Sequence, residues 1–451
     1  MACGFSARYT IDRAKTGAVV GCGETTSWGS PGKAFDTGDG CVDCPRDQIG
    51  LATIPQINNV NTARNTRLHY IFTFMQIQNG IEAATELHHL YVHIPFCLKV
   101  CPYCSFYKEA SDRNKTQAFL DSILLDLERH LREIPTCRPE TIFFGGGTPS
   151  ALSVKQLNFL LSGLHRRLDL SRLREWTLEM NPATVSLEKA RMLREFGVNR
   201  VSIGVQSWDP EILNRLGRVH SAEEAERSFH ILREAGFTNL NLDLIFGVPG
   251  QSIEKWQRTL EKTVGLAPEH ISAYCLTFEE DTEFFKRFQS GDLTQDTEQD
   301  ALFYEFTMAT LASAGYRQYE ISNYAKPGYE CLHNLAYWLG RNYLGLGPSA
   351  FSTIGEKRWQ NTSDTSRYIE QLRSAIEPIS FTEHVSDRMR EAEAIAFGLR
   401  TAIGVSESEM TRWTSELDAL RQEGYVEEEN ARIRLTAKGR MVADSIAELF
   451  V

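Results

Sequence analysis

The sequence predicts an α/β protein built on a parallel sheet, followed by a smaller tail of helices and a hairpin. Three observations predict it. Short β-rich runs recur six times between residues 90 and 277, a stretch with helical apolar spacing separates each from the next, and this rhythm stops near residue 285. A chain of 451 residues has room for one large domain and a smaller one. Its 42% hydrophobic and 24% charged content is that of a globular protein.

The N-terminal segment, residues 1–85, holds nine of the 32 glycines within its first 50 positions and shows no sustained period. It is expected to be poorly ordered, or mis-annotated with translation starting at Met75. Its longest apolar run, residues 68–77, is interrupted by His69, Thr73 and Gln76 and falls short of the roughly 20 residues that cross a bilayer. Strands are predicted at 90–94, 141–144, 176–180, 200–205, 239–246 and 270–277, with helices at 116–131, 154–168, 187–196, 222–235 and 253–264. Strands alternating with such helices form right-handed βαβ units and a parallel sheet within a domain of residues 86–285. Periodicity alone fits an open doubly wound sheet or an incomplete barrel. An extension over 286–380 carries a helix at 301–314, an aromatic segment at 316–329 and a glycine-rich stretch at 340–347. The tail, 381–451, reads as helices at 390–400, 407–414 and 416–423, a hairpin at 425–435 and a helix at 438–450, a winged-helix-like α+β order.

Charge narrows the function classes. The 59 acidic and 48 basic residues leave −11, which disfavours binding to a phosphate backbone. The tail repeats that sign, with 13 acidic and nine basic side chains over 387–451, so it is expected to pack or dock a protein and not nucleic acid. The ten cysteines are scattered and no N-terminal apolar segment suggests export, so a reducing, cytoplasmic setting is expected. Clustered thiols there are more often metal ligands than disulfides.

The strongest motif is Cys97-Leu-Lys-Val-Cys101-Pro-Tyr-Cys104, directly after the first strand. Three thiolates within eight residues can wrap a metal–sulfur cube and leave one iron open. A zinc site completed by His93 and buried free thiols are the competing readings. The C-x3-C-x2-C spacing, preceded by Tyr91-Val-His93-Ile-Pro-Phe96, resembles the radical S-adenosylmethionine (SAM) superfamily, in its coproporphyrinogen-oxidase-like branch. The resemblance implies a six-stranded partial (β/α) barrel, a 4Fe-4S cluster on the three cysteines, SAM on the open iron, and an electron donor such as flavodoxin or ferredoxin. It extends over about residues 88–450.

Polar residues and glycines end the later strands, where parallel barrels build their sites. They are Gly145-Gly146-Gly147-Thr148-Pro149, Glu179, Gln206 and Asp243. Glycines admit a ligand close to the backbone, and carboxylates and amides suit ribose hydroxyls and adenine nitrogens. By resemblance the SAM contacts are Tyr91, Tyr103, Gly146, Gly147, Thr148, Glu179, Gln206, Arg218 and Asp243.

Two groups of that branch compete, an oxygen-independent coproporphyrinogen III oxidase (dehydrogenase) and the HemW group of haem chaperones. The oxidase pattern has a further cysteine two positions after the third ligand; here that position is Phe106. His333-Asn334-Leu-Ala-Tyr337-Trp338 resembles the element proposed to bind haem in the chaperone group. A histidine can ligate iron while aromatic rings pack on a flat macrocycle. The expectation is therefore haem as cargo, a haem-acceptor protein as partner and peripheral association with membrane haem proteins, with no catalytic residue assigned. Cys41-Val-Asp-Cys44 has metal-like spacing without a second pair, and Cys137, Cys275 and Cys331 read as packing thiols.

Overall fold

The computed structural model describes residues 86–134 and 136–451. The expectations for residues 1–85, among them the start at Met75 and the Cys41–Cys44 pair, lie outside the described residues. Six strands pair in chain order, all parallel: β1 (Glu86–Ile94), β2 (Thr136–Gly146), β3 (Glu175–Met180), β4 (Arg200–Gln206), β5 (Leu240–Phe246) and β6 (His270–Cys275). Helices α1 (Arg113–Glu133), α2 (Val154–His165), α3 (Leu187–Glu195), α4 (Pro210–Arg215), α5 (Ala222–Glu234) and α6 (Ile253–Gly265) lie between them. Serines start several of these helices. Ser153 with Gln156 and Ser221 with Glu224 form capping boxes that satisfy otherwise orphaned amides.

Side chains alternate across each strand, and the two faces differ in chemistry. One face, with Leu90, Ile142, Trp176, Val201, Leu242 and Ile271, is fully buried in the main apolar core. The other face is polar: His89, Thr141, Glu175, Arg200, Asn241 and His270 are also buried. This explains why β1 begins earlier than the apolar pattern suggests. His88 and His89 mask the strand because they belong to a polar interior.

The extension is built into the same sheet. After α7 (Glu283–Gln289) and α8 (Thr297–Ser313), the aromatic segment forms β7 (Arg317–Glu320) and β8 (Asn323–Ala325), and β8 pairs antiparallel with β6. Following α9 (Leu332–Trp338), β9 (Leu344–Leu346) pairs parallel with β1. The sheet order is β9-β1-β2-β3-β4-β5-β6-β8-β7, and its two edges do not pair with each other among the described residues, so the barrel stays open.

Strands β10 (Phe351–Ile354), β11 (Lys357–Asn361) and β12 (Ile379–His384) form a second, antiparallel sheet, and α10 (Thr365–Arg373) packs on α1. Because β12 runs to His384, it spans the expected junction at residue 380. The tail contains α11 (Asp387–Leu399), β13 (Val405–Ser406), α12 (Thr414–Gln422), β14 (Val426–Glu429), β15 (Arg432–Leu435), α13 (Ala437–Met441) and α14 (Ala443–Glu448). Its core is separate, with Leu399, Met410, Leu417, Ile433 and Phe450 among its members. The helix expected at 407–414 is a single 3-10 turn, Glu407–Met410, and the last helix is interrupted at Val442. Among the described residues no helix is long and apolar enough to cross a membrane.

Candidate functional site

The cysteine loop leaves the C-terminal end of β1. Gly147 donates its backbone N–H to the Ile94 carbonyl (2.8 Å) and Thr148 to that of Phe96 (2.9 Å), which fastens the root of the loop to the end of β2. The Thr148 hydroxyl lies 3.5 Å from Cys97 Sγ, and Arg218 Nη1 lies 3.6 Å from Cys101 Sγ. Burial raises the Cys97 thiol pKa; Thr148 opposes this, and the nearby Cys104 and Cys101 add to it. Burial likewise raises Cys104, against the charge of Lys108. The three thiols are thus close enough to feel one another. Yet among the described residues no three His, Cys, Asp or Glu groups converge as ligands of a single ion. Three spaced thiols beside an arginine suit a larger, anionic metal–sulfur cluster. His93, which a zinc site would recruit, has both ring nitrogens engaged: Nδ1 with the Tyr91 hydroxyl (3.0 Å) and Nε2 with the Tyr107 carbonyl (2.9 Å).

Beside the loop, at the C-terminal ends of the strands, lies a cavity of about 380 Å³. Eight of the nine residues expected to touch SAM line it, namely Tyr103, Gly146, Gly147, Thr148, Glu179, Gln206, Arg218 and Asp243, together with Cys104. Tyr91 does not line it; its ring stacks on Phe143 and its hydroxyl is held by His93. A Cβ on Gly146 (φ 104°) would sit 2.5 Å from the His93 ring, and one on Gly147 would sit 2.6 Å from the Pro95 backbone. Only bare Cα atoms allow this close approach.

The polar walls are prepared for a ligand. Gln206 is 8% exposed and holds a left-handed backbone (φ 67°), and its side-chain oxygen finds no hydrogen-bond partner among the described residues. Strain and an unmet buried acceptor at one residue mark a site whose partner comes from outside the chain. Arg218 donates to the Gly204 carbonyl (2.8 Å). Burial pushes Glu179 up to about 7, helped by the charge of Asp243 and opposed by the Gly146 amide. Asp243 accepts from Ser202 Oγ (2.8 Å) and Asn241 Nδ2 (2.9 Å). Asn181, Ser202, Tyr274, Thr277 and Glu279 also line the cavity and were missed from the sequence. Ser202 was legible in principle, since it alternates with the apolar Val201 and Ile203.

Residues 91–263 match the radical SAM superfamily. The chain is 34% identical over 372 residues to the Bacillus subtilis protein named heme chaperone HemW, covering 80% of this chain and 98% of that one. It is 37% identical over 378 residues to the Escherichia coli protein of the same name, covering 80% and 97%. The chain belongs to the HemW family. The Escherichia coli coproporphyrinogen III oxidase structure, HemN, superposes with a TM-score of 0.72 at 24% identity over 82% of this chain and 91% of that one, a likeness of fold. Membership of the radical SAM superfamily implies a 4Fe-4S cluster and SAM, and the three thiols, the arginine and the glycine cradle fit both groups.

The element that suggested the HemW group lies at the other end of the strands. Helix α9 starts against Glu175, the first residue of β3, and its His333 is 1% exposed. Its Nδ1 meets the Thr141 hydroxyl (2.7 Å), its Nε2 meets the Tyr337 hydroxyl (2.9 Å), and its ring stacks on Phe143. An iron would therefore have to displace one of these partners to gain His333 as a ligand. Asn334 and Tyr337 are half-buried, and Trp338 packs edge-on against Phe397 of the tail at 5.8 Å with the Arg400 guanidinium over its ring. Tyr337 and Trp338 line a cleft of about 180 Å³ with Arg341, Tyr343, Arg390 and Phe397. Cys331 is buried and lies 3.3 Å from the Glu175 carboxylate, and Cys137 is buried. Cys275, expected to pack, also borders the SAM-expected cavity.

Proposed function

We propose that the protein is a haem chaperone that binds haem and passes it to acceptor proteins. The carrying observation is the match at 34% and 37% identity to two proteins named heme chaperone HemW, over nearly their whole length. Cys97, Cys101 and Cys104 would hold the cluster. When bound, a 4Fe-4S cluster with an open iron supplies one-electron chemistry and a chelation point for the methionine end of SAM. Arg218 offsets thiolate charge at Cys101, and Thr148 donates to Cys97. Glu179 and Asp243 present carboxylates to hydroxyl donors, and Gln206 offers its unmet oxygen to an amino group.

Haem docks beside α9, near Asn334, at the cleft that Tyr337 and Trp338 line. The half-buried Tyr337 ring there suits a flat macrocycle, and Arg341 and Arg390 suit its carboxylates. We place the protein in the cytoplasm, with reduction of the cluster by a flavodoxin- or ferredoxin-type donor and peripheral docking on membrane haem proteins. The test is anaerobic reconstitution followed by two assays on one sample, haem titration by absorbance and conversion of coproporphyrinogen III with SAM and reductant. Stoichiometric haem binding without porphyrin product is expected. Efficient decarboxylation would assign the protein to the oxidase reaction instead.

A further inference from the structure

The SAM-expected cavity and the haem-expected helix lie at opposite ends of the barrel, yet hydrogen bonds join them without a break. The Cys331 amide donates to the Tyr319 hydroxyl (3.3 Å), and that hydroxyl contacts His270 Nε2 (2.8 Å). His270 Nδ1 contacts Asn241 Oδ1 (2.6 Å). Asn241 Nδ2 then donates to Asp243 Oδ1 (2.9 Å) and to Ser202 Oγ (2.7 Å), whose hydroxyl donates to Asp243 Oδ2 (2.8 Å). Asp243 and Ser202 line the cavity, and Cys331 is the N-cap of α9.

The direction of every bond is determined. A carboxylate only accepts, so Asn241 must turn its amide nitrogen toward Asp243 and its oxygen toward His270. His270 therefore donates from Nδ1. Deep burial keeps the imidazole neutral, so Nε2 accepts and the Tyr319 hydroxyl donates to it. The Tyr319 oxygen is then left to accept the Cys331 amide. All the donors point toward Asp243, the arrangement in which hydrogen bonds polarise one another.

The far end of this chain is a helix that borrows its cap. Cys331 supplies no side-chain capping bond among the described residues. Glu175 of β3 accepts the amides of Leu332 (2.9 Å) and His333 (3.1 Å), and Tyr319 accepts that of Cys331. Helices usually satisfy these amides from their own N-cap. Here the start of α9 is held by the barrel, and groups tied to the cavity reach it.

We infer that the Asp243–Asn241–His270–Tyr319–Cys331 chain is a relay through which occupation of the SAM cavity loosens α9 and favours haem release. A ligand hydroxyl donating to Asp243 withdraws charge from the carboxylate on which the chain ends, so each earlier bond weakens and the cap on α9 with it. Asn334, Tyr337 and Trp338 ride on that helix. The inference rests on the reading above of SAM in the cavity and haem on α9.

Haem is titrated into the reconstituted full chain with and without SAM, and SAM with and without haem. SAM is expected to weaken haem binding about fivefold, with the same factor in the reverse titration because binding linkage is reciprocal. Tyr319→Phe removes the middle hydroxyl without touching either ligand and is expected to bring the factor near one. Tyr316→Phe, which removes an equally internal hydroxyl bonded to the Pro268 carbonyl (2.7 Å), is expected to keep it. Independently of any variant, SAM is expected to speed hydrogen exchange at the amides of residues 331–333. A wild-type factor of one with both ligands bound, or a Tyr319→Phe protein that keeps the full factor, overturns the relay alone. Failure of the wild type to bind haem or SAM overturns the functional reading and the relay together.

Discussion

Replacing Gly147 with alanine tests the geometry that joins the cysteine loop to the barrel. The new methyl would lie 2.6 Å from the carbonyl carbon and oxygen of Pro95 and 2.8 Å from the Ile94 oxygen, where ordinary contacts begin near 3.4 Å. Both neighbours are backbone, so no side chain can swing aside. Relief takes a shift of about 0.8 Å between the end of β2 and the loop root, a displacement of the kind that costs about 1–3 kcal/mol in packed surroundings. The same shift stretches the Gly147 and Thr148 amide bonds to Ile94 and Phe96, worth about 1 kcal/mol each. The expected total is about 3–5 kcal/mol in urea unfolding. SAM affinity should fall at least tenfold, since the displaced strand end also forms the cavity wall. A Gly147→Ala protein with wild-type stability and SAM affinity would refute the reasoning.

Two further predictions concern the cavity walls. Glu179 is raised from an ordinary 4.5 to about 7, so the folded state holds its proton more tightly than the unfolded chain does. This carboxyl's contribution to stability is present below the lower value and is lost as pH rises to about 7, by at most about 3 kcal/mol. Urea unfolding at pH 5 and pH 8 should therefore show a smaller loss of stability with rising pH in Glu179→Gln than in wild type, and an equal loss would contradict the assignment. For Gln206→Gly, relief of the left-handed backbone should offset the entropy glycine adds to the unfolded chain, leaving stability within about 1 kcal/mol of wild type. SAM affinity measured by equilibrium dialysis should nevertheless fall about tenfold; unchanged affinity would show that the amide faces no ligand.

The cysteine loop and the strand-end residues were readable because each lies at a fixed place in a repeating βα unit. Glu179 and Gln206 lie at the ends of their strands and Asp243 midway along β5, and the sheet brings all three to one cavity. Tyr91, expected by resemblance, stays outside the cavity because its ring stacks on Phe143 and its hydroxyl meets His93. Tyr274 was hidden, since an isolated tyrosine in an apolar strand gives no sign of which face it occupies. The His333 motif was visible as a string, but its spacing gave no hint that both ring nitrogens are engaged by Thr141 and Tyr337.

By itself the sequence determined the βα rhythm and the cysteine triad, because periodicity and close spacing are local properties of a chain, and its motifs carried the resemblance to the family. Only the tertiary structure decided that β7, β8 and β9 join the main sheet and that the polar strand faces form a buried interior. It also decided that α9 takes its cap from Glu175 and Tyr319. These features depend on pairings between residues as far apart as Leu90 and Leu344 in the sheet and Glu175 and His333 at the helix cap, and hydrogen bonds at such separation leave no periodic trace in one sequence.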